Sequence, residues 1–236
     1  MSNAAILSFG ELHLTEEAVK GKIILEVGSQ NINGSPRAGV MCWQPASYIG
    51  VDIQQGAGVD EVCEASKLIE RFGANYADVV ICMELAEHVK DWRVMIHNLK
   101  AVLKLGGLLI FTTRSEGFLY HGFPFDFWRY EIEDLQVIFA DFEIIQLVPD
   151  SMMVGALLAA KKPESWTAES QTPLENLQLF SILTGKREKE CELQHFKAWF
   201  DQQVAQQYLS MARAMGWSDY EIVITGIPEI GNKETP

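Results

Sequence analysis

Three carboxylates mark the ends of three short apolar runs. Glu26 sits in "IILEV", Asp52 in "YIGVDI" and Glu84 at the end of "ADVVICME". An ionised carboxylate offers two acceptor oxygens, so at a strand end it can take a pair of ligand hydroxyls or an amino group. Gly28, two residues past Glu26, lets backbone approach a ligand closely. Asp52 stands 24 residues beyond Gly28, near the roughly 20-residue offset at which an acid takes a ribose. Singly, each acid reads as well as a helix cap or a solvated loop residue. Three at consecutive strand ends point to a site.

The elements that carry these acids can be read from the same runs. Residues 23–27, 48–53, 77–84 and 106–113 ("GGLLIFTT") are continuous rather than alternating, the pattern of strands covered on both faces. Between them Trp92, Ile96, Leu99 and Leu103 recur at helical spacing, with Asp91 as a cap and Gly106 and Gly107 as the stop. Residues 64–72 and 131–140 form shorter helices. "FEIIQLV" (142–148) and "GALLAAKK" (155–162) read as closing strands that can pair antiparallel at a sheet edge. Alternating strand and helix means a doubly wound α/β domain, whose ligands bind at the carboxyl ends of the strands. The composition divides the chain into an N-terminal segment (1–20), this domain (21–162) and a mainly helical extension (163–236). In the extension Leu193, Phe196, Phe200, Val204, Tyr208, Met211 and Met215 step along one helix face, which suits core packing, a lid or a homodimer contact.

The bulk composition narrows the partners. The 236-residue chain carries 32 acids against 19 Lys and Arg, a net charge of −13. A nucleic-acid binder draws its affinity from cations on phosphates, so nucleic acid is disfavoured as a partner. No apolar run approaches the ~20 residues that span a bilayer, so no membrane is expected, and the N-terminus lacks the pattern of a signal peptide. Cys42, Cys63, Cys82 and Cys191 are scattered without a C-x-x-C pair, which argues against a zinc site and a disulfide framework and suits a cytoplasmic protein. Cys63 and Cys82, in apolar surroundings, read as buried thiols.

The glycine pattern separates two cofactor classes. A dinucleotide site requires G-x-G-x-x-G, but Gly28 is followed by Ser29, Gln30 and Asn31. An acid at the end of the first strand repels a pyrophosphate and favours a cationic ligand. An amino acid joined to a sulfonium, as in S-adenosylmethionine, meets that requirement better than NAD does.

"ILEVGSQNINGS" resembles the first motif of the class I S-adenosylmethionine-dependent methyltransferases, of type 11 or 12, and is closest to a subgroup reading E-x-G-S then N-G-S. "YIGVDI", "DVVICMELAEHV" and "LKLGGLLIFTT" resemble the family's second, fourth and fifth strands. "YHGFPFDFWRYEIEDL" resembles a stretch of one branch. Gln30 stands where the family has glycine, and Leu105 where its turn has proline. The resemblance covers residues 20–162. It implies a seven-stranded, mainly parallel, Rossmann-like sheet that binds S-adenosylmethionine. By it, Glu26, Gly28 and Ser29 would hold the methionine end, with Gln30 and Asn33 lining the loop. Asp52 would take the ribose and Ile53 the adenine, with Glu64, Ala65 and Met83 completing the site.

Methyl transfer from a sulfonium needs alignment and, for a hydroxyl or protonated amine acceptor, a base. His88, His121 and Asp126 are the candidate bases. Each reads equally as structural, and Asp126 can form a buried pair with Arg129. Phe118, Tyr120, Phe123, Phe125, Phe127, Trp128 and Tyr130 crowd one segment, a wall over a substrate pocket or packing under a loop, with Phe125, Trp128 and Arg129 the substrate candidates. Glu84, Glu87 and His88 have the E-x-x-E-H spacing that resembles a magnesium site in quinone-synthesis O-methyltransferases and small-RNA 3′-end methyltransferases. Against it, Glu87 and His88 can simply open the next helix.

The expectation is a cytoplasmic methyltransferase acting on a small-molecule or sugar-like acceptor. Its rivals are a non-catalytic cofactor-binding or assembly module on the same fold, and a metal-dependent RNA methyltransferase.

Overall fold

The structure, a computed structural model, describes residues 3–121 and 125–192. The apolar runs become the strands β1 (Ile23–Val27), β2 (Ser47–Asp52), β4 (Ala77–Met83) and β5 (Leu103–Arg114), with the two-residue β3 (Glu61–Val62) between β2 and β4 in the chain. Two more, β7 (Glu143–Pro149) and β8 (Gly155–Lys161), follow the short β6 (Trp128–Arg129). The seven-stranded sheet runs β3-β2-β1-β4-β5-β8-β7. Its first five strands are parallel, and β8 pairs antiparallel with both β5 and β7. The closing hairpin expected at one edge is therefore present. The strand order reverses at β1, between β2 and β4, which puts a crevice at the carboxyl ends of these three strands.

Helices α1 (Ala4–His13), α2 (Glu16–Val19), α3 (Arg37–Cys42), α4 (Leu68–Phe72), α5 (Trp92–Val102) and α6 (Ile132–Ile138) surround the sheet. On one face α5 buries Trp92, Met95, Ile96 and Leu99 among residues of β1, β4 and β5. On the other, Ile6 and Phe9 of α1 pack with Ile24, Val79, Ile81 and Ile110. The Asn3 side chain caps α1 by accepting from Ile6 N at 3.0 Å.

Two local expectations are corrected. Asp91 occupies the cap position of α5, but its side chain accepts no capping bond. The helix also stops before Gly106 and Gly107, because Asn75 N and Tyr76 N take the carbonyls of Ala101 and Val102 at 2.8 and 2.7 Å. The chain then passes directly into β5 at Leu103.

Beyond Pro163 the described residues hold strands β9 (Leu179–Ser181) and β10 (Lys186–Glu188), which build a three-stranded sheet with β6. Arg93 of α5 anchors this segment by donating to the carbonyls of Leu174, Leu177 and Lys189. Residues 163–192 are thus mostly loop, carrying these two short strands and a single 3-10 turn at Ala168–Ser170. The helical stripe from Leu193 to Met215, with any dimer contact it makes, lies outside the described residues, as does Phe123. No helix among the described residues is long and apolar enough to cross a membrane.

Candidate active site

Two cavities open at the carboxyl ends of β1, β2 and β4. The first, of about 280 Å³, is lined by Glu26, Gly28, Ser29, Gln30, Asn33, Asp52, Ile53, Met83, His88, His121 and Phe125, among others. The second, of about 310 Å³, adjoins it through Gly28, Asp52, Ile53, His88 and Phe125, and adds Cys63, Glu64, Ala65 and Phe127. Every residue assigned to the cofactor from the sequence lines one cavity or both.

Gly28 turns the chain at the mouth of β1 with φ of +81°, a conformation that side chains rarely adopt. A Cβ there would also meet Leu85 Cβ at 2.9 Å. Asp52 orients the two loops that flank the crevice: Oδ2 accepts from Gln30 N at 3.2 Å and Oδ1 from Ile53 N at 2.7 Å. Gln30, which replaces the family's glycine, packs its side chain over Gly56 and accepts from Gln54 Nε2 at 3.0 Å. Its bulk is directed to the loop after β2, so the turn does not need a second glycine. Glu64 stands at the rim of the second cavity, about half exposed, paired with Lys67 at 3.0 Å.

Glu26 is buried, and burial pushes its carboxyl up to about 7 despite donors from Tyr48 at 2.7 Å and Ser35 at 3.2 Å. A cation in the first cavity relieves that cost, because an opposite charge favours the ionised form.

A second polar cluster lies where the loop after β4 meets the loop after β5. Glu87 is fully buried; its Oε2 accepts from Thr113 Oγ1 at 2.9 Å. Its Oε1 has no hydrogen-bond partner among the described residues, and lies 3.4 Å from His121 Nε2 and 3.9 Å from His88 Nε2. The His88 Nδ1 is 2.8 Å from the Phe125 carbonyl, which can only accept, so Nδ1 carries a proton and, in the neutral ring, Nε2 holds the lone pair. The His121 Nδ1 lies 3.0 Å from Asp126 Oδ2. Burial works to lower the His121 pKa, but Asp126 and Glu87 outweigh it and raise it to about 9. The facing imidazoles of His121 and His88 hold the Glu87 carboxyl below its ordinary range against its burial.

Several of the residues singled out from the sequence are buried or internally paired here. Asp126 is buried, and both its oxygens accept from Arg129, so it braces the loop from within. Arg129 spends its remaining donors on the carbonyls of Phe118, Leu119 and Trp128. Trp128 is also fully buried and donates to Lys90 O at 3.0 Å. Neither Trp128 nor Arg129 lines either cavity. Of the described residues of the aromatic wall, only Phe125 and Phe127 do, while Tyr120 and Tyr130 belong to the core. Glu84 leaves the expected metal set: it accepts from Thr112 Oγ1 at 3.0 Å and is ion-paired with Arg114, which also binds Asp150. The grouped ligand atoms are those of Glu87, His88 and His121. Cys63, expected to be buried, is half-exposed in the second cavity.

A family profile described as "Methyltransferase domain" matches residues 12–151. The chain belongs to that methyltransferase family. Among curated relatives, a ubiquinone biosynthesis O-methyltransferase of Coxiella burnetii is 30% identical over 129 residues, covering 49% of this chain and 52% of the relative. The methyltransferase chain thus spans about half the length of the curated relative it matches. Solved structures share its fold. A 1,6-didemethyltoxoflavin-N1-methyltransferase of Burkholderia thailandensis, with 1,6-didemethyltoxoflavin and S-adenosylhomocysteine bound, superposes at a TM-score of 0.52 with 14% identity, over 68% of this chain and 79% of that one. A phosphoethanolamine N-methyltransferase of Haemonchus contortus, in complex with S-adenosyl-L-methionine, does so at 0.52 with 17% identity, over 67% and 52%.

Proposed function

We propose that this methyltransferase domain transfers the methyl group of S-adenosylmethionine to a hydroxyl of a small or sugar-like acceptor. The observation that carries the reading is the pair of adjoining cavities at the β1 switch point, with Glu26 at one end and Asp52 between them. The residues fit the cofactor: a buried carboxylate whose charge an incoming cation would favour, a carboxylate suited to a diol, and an apolar recess. The bound cofactor supplies an electrophilic methyl group. Glu26 takes its ammonium, Asp52 its ribose hydroxyls, and Ile53 with Ala65 flanks its adenine, Glu64 standing at the rim.

The chain's own part in transfer is alignment, exclusion of water and removal of one proton. His88 suits the removal of the proton, because its tautomer is fixed by Phe125 O and it lines both cavities. His121, held as an imidazolium between Glu87 and Asp126, keeps the Glu87 charge compensated beside it. Phe125 forms the acceptor-side wall. The four cysteines are all free, which suits a reducing compartment, and we place the protein in the cytoplasm.

One observation favours a second reading, in which a divalent metal replaces the proton on His121. Glu87 Oε1 is buried without a hydrogen bond and faces two imidazole Nε2 atoms, while each ring's Nδ1 has its own oxygen neighbour. Second-sphere oxygens of this kind orient metal-bound histidines. One carboxylate with two imidazoles suits zinc or manganese better than magnesium, which prefers oxygen. Such a metal would hold an acceptor hydroxyl and lower its pKa.

Screening of hydroxylated acceptors with S-adenosylmethionine, with and without chelator, tests both readings. Methylation that survives chelation supports the proton-bearing site. Methylation abolished by chelation and restored by manganese or zinc supports the metal. Cofactor binding without turnover on any acceptor removes both and leaves a binding module.

A further inference from the structure

Glu26 is held by more than its place in β1. It lies opposite Gly50 in the β1–β2 register, and Tyr48 stands two residues earlier on the same face of β2. Gly50 leaves a bare edge on which Ser29 packs: a Cβ there would meet Ser29 Oγ at 2.7 Å. The Tyr48 phenol donates to Glu26 Oε2 at 2.7 Å in a fully buried bond. Ser35, on the loop over the first cavity, donates to Oε1 at 3.2 Å and accepts from Arg37 N at 3.1 Å. The Arg37 guanidinium stacks on the Tyr48 ring, 4.9 Å from its centroid, and pairs with Asp60 at 2.8 Å. The groups that act on Glu26 are therefore Tyr48 from β2, Ser35 and Arg37 from the loop and α3, and Asp60 from the loop before β3. Of the charged pair, Arg37 favours the carboxylate and Asp60 opposes it.

We propose that Tyr48 is a positioning residue for capture of the cofactor: its phenol keeps Glu26 an oriented carboxylate, with the remaining lone pairs toward the cavity. This rests on the reading of the first cavity as the site of the cofactor's amino-acid end. A phenol donor binds a carboxylate more strongly than the neutral acid, so the bond stabilises the charged form. Burial works in the other direction, and without the phenol it has less opposition. Ser35 makes a weaker, longer second bond, and ties the loop over the cavity to the same carboxylate. Glu26 thus meets an incoming ammonium already aimed, and more fully ionised than burial alone would leave it.

The test is calorimetric titration of S-adenosylhomocysteine into wild-type protein, Tyr48→Phe, Ser35→Ala and Glu26→Gln, from about pH 6 to about pH 8.5. Wild-type affinity rises with pH as Glu26 ionises. Tyr48→Phe binds about fivefold more weakly near pH 7, approaching tenfold at the acid end, and recovers most of the loss at the alkaline end, its midpoint displaced upward by about one unit. Ser35→Ala shifts the same way by less, and Glu26→Gln is weak and flat with pH. Profiles of Tyr48→Phe and Ser35→Ala that run parallel to wild type, weaker or not, overturn the inference, since both residues then only fill space. Wild-type protein that binds at no pH overturns the reading of the cavity itself, and this inference with it.

Discussion

Glu87 Oε1 and His121 Nε2 face each other at 3.4 Å inside the protein, although 34 positions separate them in the chain. The contact joins the loop after β4 to the loop after β5, and Asp126 and Arg129 extend it into the core. It turns two loops into one wall of the cavity.

If His88 is the proton acceptor, His88→Gln should reduce kcat by about 10²- to 10⁴-fold on a hydroxylated acceptor. Affinity for S-adenosylhomocysteine should stay within about twofold of wild type, because the cofactor is held by other residues. Steady-state kinetics beside calorimetry separates the two. A His88→Gln enzyme with unchanged kcat would remove the histidine from the chemistry.

Arg129→Met should be among the most damaging changes in the domain. It leaves the buried Asp126 carboxylate to His121 alone and frees the carbonyls of Phe118, Leu119 and Trp128, and breaking a buried pair on one side costs about 3–5 kcal/mol. Urea denaturation should show that loss. A loss below about 1 kcal/mol would mean that the loop is held by other contacts.

Glu26 makes the free domain less stable in alkali. Its folded pKa, about 7, lies above its ordinary 4.5 because burial disfavours the charge. Between those values the folded state binds more protons than the unfolded one, so this group's contribution is full below 4.5 and is lost as pH rises through 7. Glu26→Gln should therefore be more stable than wild type above neutrality, by up to about 3 kcal/mol, and should lose that advantage in acid. Thermal melts against pH check the sign. A constant difference between the two proteins would contradict it.

Cys63 should report the cofactor's presence. Its thiol lines the second cavity, whereas Cys42 is exposed elsewhere and Cys82 and Cys191 are buried. Saturating S-adenosylhomocysteine should slow alkylation of Cys63 by about tenfold or more and leave Cys42 unaffected. Peptide mapping by mass spectrometry distinguishes them. Equal protection of both thiols would point to a general change in stability.

The parts legible in the sequence are those set by local pattern. The β1 strand is expected and found at the same residues, since both glycines and the apolar run lie within a few positions. Asp52 and Gly28 follow from spacing, and the closing hairpin from two adjacent apolar runs. The parts not legible depend on long-range contact. Nothing near Glu84 announces Arg114, or near Arg114 announces Asp150, so an acid spaced like a metal ligand is half of an internal pair. Trp128 and Arg129 read as substrate residues because polar or aromatic type does not reveal burial. The α1 helix does have a local signal, Asn3 as a cap with Ile6, Phe9 and Gly10 at helical spacing, and it packs against the sheet.

The cofactor cavity is tested most directly by calorimetric titration of S-adenosylhomocysteine into wild-type protein and Asp52→Ala. Saturable binding to wild type, weakened by tenfold or more in Asp52→Ala, a loss of ~1.4 kcal/mol, is the expected result. Well-folded wild-type protein that takes up no ligand, or an Asp52→Ala protein that binds as well as wild type, would contradict it.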